Sequence, residues 1–109
     1  MDTPTIKNIT SSQLKQMLET PQNDLSLIDV RTPEEYARGH LKNSLNLPLD
    51  QLLEKELLIL KDQPIVVYCL SGSRSIMAAQ ALSSMKYTQV MNLQKGLLEW
   101  RFLKYPETN

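Results

Sequence analysis

Apolar positions along this chain fall into short, β-branched runs separated by segments of helical spacing, the alternation expected of an α/β fold built on parallel strands. The most apolar run is Pro64, Ile65, Val66, Val67 and Tyr68, as a strand buried on both faces requires. Residues 25–30 form a second strand, apolar enough to be central. Residues 89–93 form a further one, residues 44–47 a short one closed by Pro48, and Ile9 marks the start of a short edge strand.

The segments between them read as helices. Thr10, Ser11 and Ser12 offer N-cap oxygens, and Leu14, Met17 and Leu18 fall on one face of a helix reaching about Glu19. Thr32, Pro33, Glu34 and Glu35 supply a cap, an N1 proline and an acidic first turn to a short helix that stops at Gly39. Residues 49–60 carry Leu49, Leu52, Leu53, Leu57, Leu58 and Leu60 and fit one or two short amphipathic helices with the leucines in the core. In residues 75–85 the packed side would be Ile76, Ala79, Ala81, Leu82 and Met85. A last helix follows Gly96, with Leu97, Leu98, Trp100, Phe102 and Leu103 as its apolar set and Trp100 as a core ring. One domain covers residues 1–109, with residues 1–5 and 105–109 as frayed tails.

Composition narrows the function classes. The 109 residues are 41% hydrophobic with formal net charge zero, which suits a single globular core and gives no support to nucleic-acid binding. The single cysteine cannot form an internal disulfide, and with one histidine it cannot fill a tetrahedral metal shell. No apolar run is long enough to span a bilayer, and residues 1–4 lack the charged and apolar regions of a signal peptide. A cytoplasmic protein with neither a membrane nor a nucleic-acid partner is the expectation.

The chemistry concentrates at Cys69, Leu70, Ser71, Gly72, Ser73 and Arg74. A strand precedes this polar loop and a helix follows, so the cysteine stands at the carboxyl end of a strand, where open α/β sheets bind ligands. Backbone N–H groups of such a loop, aided by the helix dipole, make a cup for an anion. Here the anion would be the cysteine sulfur, with Arg74 at the rim. A free thiol of pKa ~8.5 is only about 3% thiolate at neutral pH. Lowering that pKa by about two units gains only roughly threefold in attack, because nucleophilicity falls with basicity. The larger gain is in leaving ability, so the site suits a carrier that accepts a group and releases it. Asp29 and Arg31 are the other unusual pair, since charged residues rarely end a buried strand unpartnered. An exposed ion pair at the strand tip is the simplest account of them.

These residues carry a family resemblance. Ile28-Asp29-Val30-Arg31-Thr32-Pro33-Glu34-Glu35-Tyr36, Gly39-His40-Leu41, Asn46-Leu47-Pro48, the loop from Cys69 to Arg74, and Gly96 to Trp100 occur in an order and at spacings that resemble a single-domain rhodanese, of the thiosulfate sulfurtransferase family. The resemblance implies a central, mostly parallel five-stranded sheet flanked by helices on both faces. It implies a ping-pong reaction in which Cys69 attacks the outer sulfur of thiosulfate or of a persulfide or polysulfide, becomes a persulfide, and yields that sulfur to cyanide or a thiol. The N–H groups from Leu70 through Arg74 would hold the outer sulfur, with Ser71 and Ser73 hydroxyls adding hydrogen bonds and Gly72 supplying a conformation that a side chain would hinder. No cofactor is implied, because sulfur is carried covalently on Cys69, and a sulfur-relay protein could serve as a partner. The resemblance casts Asp29 and Arg31 as structural ties near the site and His40 as a turn residue rather than a base. The chain departs from the family at Lys42-Asn43-Ser44, where proline, glycine and alanine are more common, and at Lys95, which replaces a glycine and adds a positive charge near the mouth. At Leu70 some thiosulfate-using relatives carry a charge.

Two rival readings are of other classes. Tyrosine phosphatases resemble C-x5-R, and the four-residue gap between Cys69 and Arg74 makes a smaller ring, better suited to a sulfur atom than to phosphate. A non-catalytic rhodanese-fold interaction module usually lacks the cysteine or has a degraded loop, whereas Cys69, Gly72 and Arg74 are all present here.

Overall fold

The computed structural model describes residues 6–20, 24–54 and 57–109. Ten elements follow one another: β1 (Ile6–Ile9), α1 (Ser11–Glu19), β2 (Ser26–Asp29), α2 (Pro33–Ala37), β3 (Leu45–Asn46), α3 (Leu49–Leu52), β4 (Ile65–Tyr68), α4 (Ser73–Ser84), β5 (Val90–Leu93) and α5 (Gly96–Phe102). The strands make one five-stranded sheet in the order β1-β5-β4-β2-β3. Each pairing is parallel, not merely most of them.

Strand alternation assigns each side chain of β4 to a layer. Ile65, Val67 and Cys69 face a core completed by Leu52 of α3 and by Ala78, Ala79 and Leu82 of α4. Val66 and Tyr68 face the opposite core, with Leu14 of α1 and Leu97 and Trp100 of α5. Because helices cover both faces, β4 is buried along its whole length, which is why its sequence is continuously apolar. Cys69 follows directly at its carboxyl end.

Local sequence accounts for the helix starts. Thr10 and Thr32 each cap a helix through a reciprocal box with Gln13 and Glu35, three residues on, so two orphan N–H donors are satisfied at each start. In α4 the start differs from the sequence expectation. The helix begins at Ser73 rather than about Ser75, with Gly72 at the N-cap in a left-handed conformation, φ 98°.

Three other expectations are corrected. Ile9 ends the edge strand instead of starting it. Of the leucines in residues 49–60, Leu52 is core, but Leu53, Leu58 and Leu60 are exposed. Only Leu49–Leu52 is helical there; Leu57 and Ile59 then pack inward while Leu58 and Leu60 face out, an alternation of two rather than a helical period. In α5, Leu97 and Trp100 are buried while Leu98, Phe102 and Leu103 are exposed, because the short helix offers only one narrow stripe to the sheet.

The end of the chain is tied down rather than frayed. The Trp100 indole N–H donates to the Pro106 carbonyl at 2.9 Å, Tyr105 sits edge-on to the Trp100 ring, and Thr108 and His40 exchange backbone hydrogen bonds of 2.8 Å each. The buried indole needs an acceptor, and the tail supplies it. Residues 1–5, expected to fray, lie outside the described residues. Among the described residues no helix is long and apolar enough to cross a membrane.

Candidate active site

The loop between β4 and α4 closes around the Cys69 sulfur. The Gly72 N–H donates to Sγ at 3.1 Å and the Ser75 N–H at 3.3 Å. Ser75 is the third residue of α4, so Sγ occupies the place that an N-cap side-chain oxygen normally takes against the N3 amide. Gly72, at the N-cap, has no side chain to compete for it. The sulfur therefore caps its own helix.

A hydroxyl completes the set. Ser75 Oγ lies 3.4 Å from Sγ and 3.3 Å from the Gly72 carbonyl oxygen. With a protonated thiol, S–H donates to Oγ and the hydroxyl donates to that carbonyl. When the proton leaves, the hydroxyl can rotate to donate to the sulfur, and the Gly72 carbonyl keeps the Ile76 N–H at 3.1 Å. Burial pushes the Cys69 thiol up, but the Ser75 hydroxyl and the N–H groups of Ser75, Gly72 and Arg74 outweigh it, and the pKa lies below its ordinary value.

Two glycines set this geometry. A Cβ on Gly72 would collide with the Gln94 carbonyl oxygen, and one on Gly96 with the Leu70 carbonyl oxygen. Both have positive φ, 98° and 64°, so each position combines a left-handed backbone with close approach. The close approach has a purpose. The first amides of α5 donate to the loop, Leu97 N–H to the Cys69 carbonyl at 2.9 Å and Leu98 N–H to the Leu70 carbonyl at 3.0 Å. With its carbonyls held on the outside, the loop can turn amides inward.

Cys69 itself is 0% exposed. Leu70 and Arg74 are half-buried at the rim, and Ser71 and Ser73 are exposed. The serine hydroxyl that meets Sγ is that of Ser75. Two larger hollows, ≈ 880 Å³ and ≈ 540 Å³, are lined by α1, Leu25 and parts of the sheet or the chain end, and neither is lined by the loop.

Arg74 points to a partner that the sequence did not advertise. Its Nη1 and Nη2 donate to the two carboxylate oxygens of Glu35, at 2.7 and 3.1 Å. The Arg74 hydrogen bond, ahead of opposing burial, holds the Glu35 carboxyl at about 2. Glu35 also belongs to the Thr32 capping box, so α2 delivers the carboxylate in a fixed position.

Asp29 and Arg31 form a buried ion pair, not an exposed one, with side chains 0% and 2% exposed. Asp29 accepts from the Arg31 backbone N–H, Nε and Nη2, and Nη2 reaches on to the Gly39 carbonyl at 2.7 Å. The pair thus joins the end of β2 to the far end of α2, the helix that carries Glu35. His40 makes its contacts with Tyr36 and Thr108. Its ring stacks on Tyr36 with centroids 3.6 Å apart, and Nδ1 meets the Tyr36 carbonyl at 2.7 Å. Ser44, at the unusual Lys42-Asn43-Ser44 turn, hydrogen-bonds the buried Tyr68 hydroxyl.

Sequence reasoning missed Ser75, Glu35 and the role of Gly96. Ser75 sits one residue past the C-x4-R motif, where helix geometry brings it back under the loop. For Glu35 the available signal was an acidic residue in the first turn of α2 facing an arginine that needed a counter-charge.

A parallel sheet covered on both faces, with a loop whose backbone N–H groups meet a strand-end cysteine, is the architecture of this chain. The chain belongs to the rhodanese-like family, whose Rhodanese-like domain model matches residues 10–102. It is similar to a sulfurtransferase of Allochromatium vinosum, 37% identical over 95 residues that cover 87% of this chain and 88% of that protein. It is also similar to the putative sulfur carrier protein YrkF of Bacillus subtilis, 28% identical over 87% of this chain but only 51% of that protein. Among solved structures, a rhodanese-related protein from Thermoplasma volcanium superposes with TM-score 0.83 at 27% identity, covering 94% of this chain and 97% of that one.

Proposed function

We propose that this protein is a sulfurtransferase that carries a sulfane sulfur on Cys69, taken from thiosulfate or from a persulfide or polysulfide and passed to a thiophilic acceptor. The observation that carries this reading is the set of N–H donors from Gly72 and Ser75 converging on Sγ. Such dipoles stabilise the thiolate without adding a competing nucleophile or base. Cys69 attacks the outer sulfur of the donor, the donor's sulfur–sulfur bond breaks, and the leaving group departs with that electron pair. The persulfide places its outer sulfur toward the loop, where the N–H groups of Leu70, Ser71 and Ser73 have no backbone acceptor among the described residues and would receive it. A thiolate or cyanide then attacks that outer sulfur and returns Cys69 to its starting state.

Cys69 is 0% exposed, so the loop must open locally before the terminal atom of a donor or acceptor reaches Sγ. No cofactor takes part, because the cargo is bound covalently. The likeness to a putative sulfur carrier protein supports a relay, with a second protein as donor or acceptor. Mass spectrometry after exposure to thiosulfate, polysulfide or a persulfide tests the proposal. The expected result is one added sulfur, removed by cyanide with thiocyanate formed, and absent from Cys69→Ala. No adduct from any donor overturns it and favours an interaction module.

A further inference from the structure

The arginine of the loop is already engaged. Arg74 is held by Glu35 through two hydrogen bonds, and Glu35 is fixed in turn by the Thr32 capping box. Lys95, beside the loop, is 73% exposed and 3.9 Å from Glu99, so solvent screens its charge and it offers no fixed cation at the sulfur. The leading amides of α5 are turned to the carbonyls of Cys69 and Leu70 and are not free for an incoming anion. Leu70, at the rim, is apolar. The sulfur is therefore cradled by neutral dipoles, and a Cys69 thiolate with Arg74 and Glu35 leaves one net negative charge.

A donor that bears a sulfonate brings two negative charges to this point. Like charges a few ångströms apart repel strongly where solvent is scarce, and a site meant for such a donor needs an unneutralised cation. A thiol persulfide brings at most one charge, on the atom that the loop amides would receive.

We propose that Cys69 takes its sulfur from a thiol persulfide or polysulfide rather than from a sulfonate-bearing donor such as thiosulfate, and that Glu35 is the positioning residue that sets this preference by occupying Arg74. This rests on Cys69 being a sulfur carrier. In the favoured step, Cys69 thiolate attacks the terminal sulfur of R–S–S–H. The new Cys69 Sγ–S bond forms as the R–S–S–H sulfur–sulfur bond breaks, the proton stays on the transferred sulfur, and RS⁻ leaves with the electron pair. With thiosulfate the same attack expels sulfite, and three negative charges must gather beside an occupied arginine.

The test is the rate at which one sulfur is added to Cys69, followed by quenched mass spectrometry, with glutathione persulfide and thiosulfate at equal concentration. Wild type is expected to load at least about 100-fold faster from the persulfide, and Glu35→Gln to narrow that ratio at least about tenfold by raising the thiosulfate rate. Ser71→Lys, which adds a cation on the exposed part of the loop and leaves the Glu35–Arg74 pair intact, should move the ratio the same way and decides the matter if Glu35→Gln does not fold. Equal loading of wild type by the two donors overturns the donor assignment while leaving sulfur transfer standing. An equal fall of both rates in Glu35→Gln with no change in Ser71→Lys reduces Glu35 to a structural prop and overturns its role. Absence of an adduct from both donors removes the sulfur-carrier reading, and the donor assignment falls with it.

Discussion

Glu35 and Arg74 are 39 residues apart in sequence, yet they meet in a two-pronged ion pair at the rim of the Cys69 loop. One partner comes from the first turn of α2, the other from the first turn of α4. The pair joins the two helices that flank the carboxyl ends of β2 and β4, and so links loop shape to the position of α2.

The pH dependence of that pair has a definite sign. Glu35 is depressed from 4.5 to about 2 in the folded state, so its contribution is present above pH 4.5 and is lost as pH falls from there toward 2. The Arg74 and Glu35 side chains are 35% and 27% exposed, and solvent screening reduces the contribution to about 1 kcal/mol. Glu35→Gln should thus lower unfolding free energy by about that amount at pH 7, with the difference from wild type closing as pH approaches 2. Urea titrations across that range check it.

Gly72 tolerates no side chain. An alanine there needs a left-handed backbone and meets the Gln94 carbonyl, at a cost of about 2–3 kcal/mol or more. Gly72→Ala should lower the denaturation midpoint and also raise the thiol pKa, because the Gly72 N–H is one of the sulfur's donors. Gly96→Ala, which disturbs the α5 side of the loop, should show a comparable loss of stability.

Ser75→Ala removes the hydroxyl donor and leaves the Ser75 N–H in place. A hydrogen bond to an ionised group contributes roughly 1.5–3 kcal/mol, so the Cys69 pKa should rise when the hydroxyl is removed. Thiolate absorbance against pH measures this directly. Thiolate-dependent reactivity should fall away at a higher pH in the variant than in wild type as the solution is acidified.

Asp29 and Arg31 are buried together. Asp29→Ala strands a buried guanidinium and should cost about 3–5 kcal/mol. Replacing both, Asp29→Leu with Arg31→Met, should cost less than the single change, because no unpaired charge remains. Guanidinium chloride unfolding of the two variants decides it.

Access to Cys69 should depend on probe size. With the sulfur 0% exposed, any reagent must await local opening, and a bulky aromatic disulfide needs a wider opening than a small sulfur donor. Labelling by the bulky reagent should run at least about 100-fold slower than for the unfolded chain and should accelerate with sub-denaturing urea. Fast labelling in native buffer would show a wider mouth than the structure has.

Much of this was legible in sequence where a local rule and the tertiary fold agree. Thr10 and Thr32 carry their capping boxes within four residues, and the β4 run is apolar because both faces are covered. The strand-end position of Cys69 also follows from neighbours in the chain, whereas the need for Gly72 rests in part on the distant Gln94 carbonyl. Leu58, Leu60 and Phe102 defeated the reading for the opposite reason. An apolar side chain is compatible with either core or surface, and only the path of the backbone after Leu52 and the short span of α5 put these side chains outside. The tail misled in the same way, since the acceptor role of Pro106 depends on where Trp100 stands.

By itself the chain order dictated an α/β protein with a strand-loop-helix cysteine site, because hydrophobic period, caps and turn residues act over a few positions. Tertiary structure alone decided that the Ser75 hydroxyl meets the Cys69 sulfur, that Arg74 is neutralised by Glu35, and that Asp29 and Arg31 are buried. Charge pairing and solvent exclusion depend on distance in space, and nothing in local spacing records which distant residues the sheet order brings together.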